Sequence, residues 1–284
     1  MTQVPRKPFD DEIDVYGLTH PGKVRDTNED HFLLASIHKR IKVLSTSLQM
    51  EEVSAREDRL AFIAMVADGV GGLDRGEEAS ATALESVLHY VTESMDCYYR
   101  AEAGTDAFER ELVAAAMRAH EAVQARAAAA GEGAMATTLT IYMGVWPTYY
   151  LLQVGDSRYY ILKDGALTQV SRDQTVAQEL VDKGVMTADA AAKTKLAHVL
   201  SSAIGGDEAS PVVTRLHSDW GIVHLMCTDG LTKHVSDARI AEVLGTVPSA
   251  KAAAERLLQD ALDAGGSDNI TIIVGRFSPR PGRA

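Results

Sequence analysis

An α+β fold, with sheet layers flanked by helix layers, is what this sequence predicts. Three observations lead there. Several segments are apolar at consecutive positions and suit strands covered on both faces: Leu60 to Ala67, Thr138 to Trp146, Tyr149 to Val154, Ile222 to Cys227 and Ile270 to Phe277. The helical segments come as a sequential pair between strand groups and again near the C-terminus, an order that does not suit repeated β-α-β units. Tyr159 to Leu162 and Leu167 to Val170 flank Lys163-Asp164-Gly165, whose Asp-Gly signal marks an antiparallel hairpin.

Taken in order, residues 1–13 hold Pro5, Pro8 and several acids, and read as a flexible N-terminus without the apolar core of an export signal. His31 to Ala35 reads as a strand. Ser36 to Arg59 then separates two strands, basic at His38, Lys39, Arg40 and Lys42 and acidic at Glu51, Glu52, Glu57 and Asp58. This 36–59 insertion reads as a longer hairpin or a mobile segment. After Gly76, Leu84, Val87, Leu88, Val91 and Met95 recur at helical spacing, and Phe108, Leu112, Ala116, Ala119 and Val123 repeat the pattern, so two amphipathic helices form an antiparallel pair. Gln174 to His198 is Ala-rich; Val176 to Lys183 reads as a short helix stopped by Gly184, and Thr187 as the N-cap of a second, Ala188 to Ala192. This 174–198 segment is expected to be a flap. A last helix runs from about Ser249 to Asp263 and stops at Gly265-Gly266. Residues 278–284 read as a disordered tail, leaving 14–277 as one domain.

Composition narrows the function classes. With 284 residues, 46% of them hydrophobic, the chain can bury a large core. Twenty-eight Lys and Arg stand against 40 Asp and Glu, and the net charge of −12 disfavours a nucleic-acid partner. The longest apolar run, Leu60 to Ala67, is too short to span a membrane. Cys97 and Cys227 lack the spacing of a zinc or redox pair, which suits a reducing, cytoplasmic compartment.

The informative pattern is an acid at the ends of apolar strands. Leu60 to Ala67 runs into Asp68-Gly69-Val70-Gly71-Gly72, and Ile222 to Thr228 runs into Asp229-Gly230. Glu29-Asp30 precedes His31 to Ala35, Asp268-Asn269 precedes Ile270 to Phe277, and Gly155-Asp156-Ser157-Arg158 follows another strand. Any one Asp-Gly reads as an ordinary turn. Together these stations read as a shared edge, where packed carboxylates repel one another and require protons or a cation. Oxygen ligands without His or Cys favour Mg²⁺ or Mn²⁺ over zinc. Arg25, four positions before Glu29, reads either as a fork for phosphate or as an ion pair with Asp26 or Glu29.

These residues resemble the bacterial branch of the metal-dependent serine/threonine protein phosphatases of the PP2C (PPM) type. Seven motifs match in order across residues 14–277: Arg25 to Asp30, Asp68 to Gly72, Ala136-Thr137-Thr138, Gly155 to Arg158, Leu200 to Gly206, Thr228 to Leu231 and Ser267 to Thr271. The resemblance implies a four-layer αββα sandwich of two antiparallel sheets flanked by helices. It also implies two Mn²⁺ or Mg²⁺ ions per chain, with a weaker third. Asp68 would bridge the two ions, Glu29 and the Gly69 carbonyl would hold one, and Asp229 and Asp268 the other. Asp30 would hold the attacking water, Arg25 would bind substrate phosphate, and Asp156 would help hold the third ion, with Asp229.

The implied activity is hydrolysis of phosphoserine and phosphothreonine by a metal-activated water, without a covalent phosphoenzyme. Neither a G-x-S-x-G elbow nor a Walker-type loop is present. The expected partners are phosphoproteins made by a bacterial-type Ser/Thr kinase, met by a monomer. Competing readings are a pseudophosphatase serving as a binding or sensing module, which should have lost metal acids, and a regulatory phosphatase dedicated to one phosphoprotein, such as an anti-sigma antagonist. Two departures stand out. Val70 follows the Asp-Gly where some relatives carry a histidine proposed as general acid, and Asp173-Gln174-Thr175 stands where the family has Asp-His-Ser. Of the histidines, His89 and His120 read as helix-surface or boundary residues, while His31 and His234 lie next to acidic stations.

Overall fold

A strand apolar on both faces needs a partner on each side, and the strand Asp58–Val70 (β3) has two. Its Ala61, Ile63, Met65 and Ala67 enter one core cluster, while Phe62, Ala64 and Val66 enter another. In the computed structural model, which describes residues 6–39, 58–70, 75–93, 105–131 and 135–279, this alternation builds two stacked antiparallel sheets.

The first sheet joins Asp30–Lys39 (β2), β3, Leu139–Val145 (β5), Thr148–Val154 (β6) and Val212–His217 (β9) in that order, with the short Ala136–Thr137 (β4) pairing the end of β3. The second joins Ile13–His20 (β1), Ile270–Phe277 (β11), Val223–Cys227 (β10), Arg158–Lys163 (β7) and Ala166–Gln169 (β8). Between them lies a layer that includes Val66, Tyr142, Tyr149, Tyr159, Met226 and Ile273. Gly76–Glu93 (α1) and Thr105–Ala129 (α2) cover the outer face of the first sheet through Ala83, Val87, Leu112 and Ala116. On the second sheet lie Asp229–Thr232 (α5), Asp237–Thr246 (α6) and Ala250–Asp263 (α7), through Leu231, Ile240, Val243 and Leu257. The layers run helix, sheet, sheet, helix.

The Asp-Gly hairpin forms between β7 and β8, and Asp164 and Gly165 both take the positive φ that such a two-residue turn requires. Val176–Asp182 (α3) and Ala188–Ala191 (α4) are the two short helices of the 174–198 segment, each capped by its threonine, Thr175 accepting from Gln178 N and Thr187 from Ala190 N. The first and last residues of the 36–59 insertion are strand residues, for β2 and β3 pair out to Lys39 and Asp58; residues 40–57 lie outside the described residues. So do Cys97, Gly71, Gly72, residues 1–5 and the tail from 280.

Several elements have little apolar signal. β1 pairs with β11 from Ile13 to His20, yet its sequence is broken by Asp14, Gly17 and Thr19; an edge strand needs one neighbour and only partial burial. β9 is the opposite edge of the first sheet. α6 has ten residues, so its buried Ile240, Val243 and Leu244 give one short repeat. Asp229 opens helix α5 rather than a turn. Among the described residues no helix is long and apolar enough to cross a membrane.

Candidate metal centre

The strand pairings bring the acidic stations to one edge. Asp30 opens β2 directly opposite Asp68 on β3. Asp268 precedes β11, Asp229 follows β10, which lies beside β11, and Asp156 precedes β7 on the other side of β10.

Asp68 is held by its backbone. Its N–H donates to Thr138 Oγ1 at 3.0 Å, and its carbonyl accepts from Thr138 N and Thr137 Oγ1, each at 2.9 Å. The Ala136-Thr137-Thr138 motif is thus the clamp on the end of β3. Gly69 follows because the chain passes very close to α1: a Cβ there would stand 2.3 Å from the Gly76 carbonyl oxygen. A Cβ on Gly76 would in turn stand 2.6 Å from the Glu29 carboxyl carbon, so Glu29 lies against the first residue of α1, where unpaired amides favour negative charge.

Asp30 is buried. Its Oδ2 accepts from the hydroxyls of Thr228 and Thr271, both at 2.8 Å, while Oδ1 has no partner. Behind it runs a relay in which Asn28 Nδ2 donates to Thr19 Oγ1 at 2.9 Å, and Thr19 and Thr271 share a 2.8 Å bond between hydroxyls. Asn269 ties the outer loop down, accepting from Glu29 N at 2.8 Å and donating to the Thr27 and Pro21 carbonyls. Gly22, at φ +82°, lets that loop touch the Asp268 carbonyl, from which a Cβ would stand 2.3 Å.

The electrostatics follow from burial and crowding. Burial pushes the Asp68 carboxyl well above its usual range, and Asp30, Asp229, Asp156 and Asp268 push it in the same direction. Burial raises Asp30 to about 7, against two hydroxyl donors that lower it, and raises Asp156 to about 7, with Asp229 adding to it. Asp268 moves the other way. Burial would raise it, but Lys233 and Arg25 together hold it below the usual carboxylate range.

Lys233 is the residue that strand-end reasoning did not find. Its Nζ stands 2.7 Å from Asp229 Oδ2 and 2.6 Å from Asp268 Oδ2. The available signal was its spacing of four from Asp229. Arg25 pairs through Nε with Asp268 Oδ1 at 2.9 Å, and neither Asp26 nor Glu29 is that partner. Among the described residues no three His, Cys, Asp or Glu side chains are already closed into a coordination group. The donor set nevertheless fits hard divalent cations: oxygen donors, four carboxylates around Asp68, and an unpartnered buried oxygen on Asp30.

The remaining candidates have structural partners. Gln174 accepts from Gly155 N at 2.8 Å, fixing the turn that carries Asp156, and Asp173 takes a forked pair from Arg158 at 2.7 and 3.0 Å. His31 bonds Ser80 Oγ, His234 accepts from Ser267 N at 2.9 Å beside Asp268, and His120 accepts from Gly205 N. A cavity of about 260 Å³ separates Asp156, Asp229 and Lys233 from the 174–198 segment and is lined there by Gln178, Ala191 and His198.

The described residues thus form two stacked antiparallel sheets with helices outside and acids gathered at one strand edge. The chain belongs to the protein phosphatase 2C family, whose sequence model matches residues 51–265. It is 34% identical over 215 residues to the serine/threonine protein phosphatase PstP of Mycobacterium tuberculosis, across 75% of this chain and 40% of that protein. It therefore spans less than half the length of that relative. The crystal structure of M. tuberculosis PstP/Ppp superposes with a TM-score of 0.75 at 30% identity, covering 94% of this chain and 99% of the other. A structure of the PstP catalytic domain in complex with two manganese ions, also 30% identical, superposes at 0.72 and covers 94% and 99%.

Proposed function

We propose that the chain hydrolyses phosphoserine and phosphothreonine in proteins at a binuclear Mn²⁺ or Mg²⁺ centre. The observation that carries this reading is the meeting of Asp30, Asp68, Asp156, Asp229 and Asp268, from distant parts of the sequence, with burial and crowding raising Asp30 and Asp156 to about 7 and pushing Asp68 well above its usual range. Such crowding of negative charge is relieved by cations. The relative with two manganese ions supports the same reading.

In this reading Asp68 would be shared by two ions, Glu29 and the Gly69 carbonyl would help hold one, Asp229 and Asp268 the other, and Asp156 with Asp229 would hold a weaker third. When bound, the ions supply Lewis acidity that activates a water and offsets phosphoryl charge. The chain's own groups do the rest. Asp30, fixed by Thr228 and Thr271, keeps Oδ1 free to accept a proton from the attacking water and orient it. Arg25, half exposed at the rim beside Asp268, is placed to fork onto the substrate phosphate. Val70 has no proton to give, so the leaving alkoxide takes its proton from water or from another residue.

The partners in this reading are phosphoproteins made by a bacterial-type Ser/Thr kinase, in cytoplasmic signalling by a monomer. The buried free thiol of Cys227 suits a reducing compartment. Assays on p-nitrophenyl phosphate and a phosphothreonine peptide, with EDTA and with added Mn²⁺, test the activity. Turnover of both that EDTA abolishes and Mn²⁺ restores is expected; no turnover with Mn²⁺, or turnover indifferent to EDTA, contradicts it.

A further inference from the structure

Lys233 lies where helical spacing returns the chain to the side of Asp229, its N–H closing onto the Asp229 carbonyl at 2.8 Å. The side chain is 27% exposed, and its ammonium sits between one oxygen of Asp229 and one of Asp268, at 2.7 and 2.6 Å. The other Asp268 oxygen is taken by Arg25. The two carboxylates assigned above to the second ion are therefore already joined by a cation that belongs to the chain. An ammonium and a divalent ion held by the same two carboxylates repel each other and compete for their charge, so Lys233 opposes an ion there. The neighbouring cavity of about 260 Å³, which Lys233 lines, has room for a displaced lysine head.

We propose that Lys233 is a positioning residue that competes with the second ion for Asp229 and Asp268 and swings toward the cavity when that ion binds. The proposal rests on the metal-centre reading above. Its effect is to weaken the second site relative to the first and so to set the metal concentration at which the centre completes.

Calorimetric titration of the EDTA-stripped chain with Mn²⁺ tests this. Lys233→Met keeps the stem and removes the charge. It should tighten the weaker Mn²⁺ site by about tenfold, the scale of one lost charge-assisted bond, and should lower the melting temperature of the metal-free chain. Lys233→Arg should retain the weak site. An unchanged or weaker second site in Lys233→Met overturns the proposal while leaving the metal centre standing. A wild-type chain that binds no Mn²⁺ overturns both. A second measurement needs no variant: acetic anhydride labelling of wild-type Lys233, read by mass spectrometry, should rise severalfold when Mn²⁺ is added. Equal or lower labelling with Mn²⁺ overturns the displacement.

Discussion

Asp68 stands near the end of apolar strand β3 and is pinned through its own N–H and carbonyl by Thr137 and Thr138, so the sheet itself delivers the carboxyl to its place. Asn has nearly the same size but a single acceptor oxygen and no charge. Asp68→Asn is expected to fold and to lose at least about 10²-fold in kcat, about 3 kcal/mol of transition-state stabilisation, with little rescue by excess Mn²⁺. A folded variant with near-wild-type, EDTA-sensitive turnover would remove Asp68 from the centre. Arg25 is different in kind, because its guanidinium lies at the rim and touches an acid rather than the strand ends. Arg25→Ala should raise KM for phosphorylated substrates with metal content near that of wild type; a collapse of metal content with KM unchanged would reassign Arg25 to holding Asp268.

Among the elements, the 174–198 segment contrasts with the sheets it borders. α3 and α4 have seven and four residues, and residues 182–185 and 187–190 are exposed. Short helices with few buried apolar contacts open at low free-energy cost. Amide hydrogen exchange is expected to be fast from Val176 to His198 and slow in β3, β5 and β10; equal protection in both would deny the segment the part of a mobile flap. The long apolar strands, the hairpin turn and α1, α2 and α7 were legible in the sequence because each repeats its period several times. β1, β9 and α6 were not, since two are edge strands and the third has a single short repeat.

At the scale of the molecule, the raised carboxyls of the acidic edge couple folding to protons. Asp30 and Asp156 titrate near 7 in the folded chain, above the ordinary carboxylate value of about 3.9 that applies on unfolding. Between those values the folded state binds more protons than the unfolded one, so the stability these groups contribute falls as pH rises. Asp268, held low, opposes this only toward the acid side, where its own contribution is lost. In EDTA the melting temperature should therefore fall from about pH 5 to about pH 8, and Mn²⁺ should restore it most at the upper end, where the ligands are ionised. A flat or rising profile in EDTA would contradict the burial of Asp30. By itself the sequence determined which acids stand at strand ends, that such oxygen donors suit hard cations, and that the motifs stand in the order of one phosphatase family. Only the tertiary structure decided what stands between those acids. Lys233 bridging Asp229 to Asp268, Arg25 on Asp268, and Thr228 and Thr271 on one oxygen of Asp30 join residues from separate strands and loops. Apolar periodicity reports burial along one element, whereas these pairings depend on how strand ends meet across two sheets.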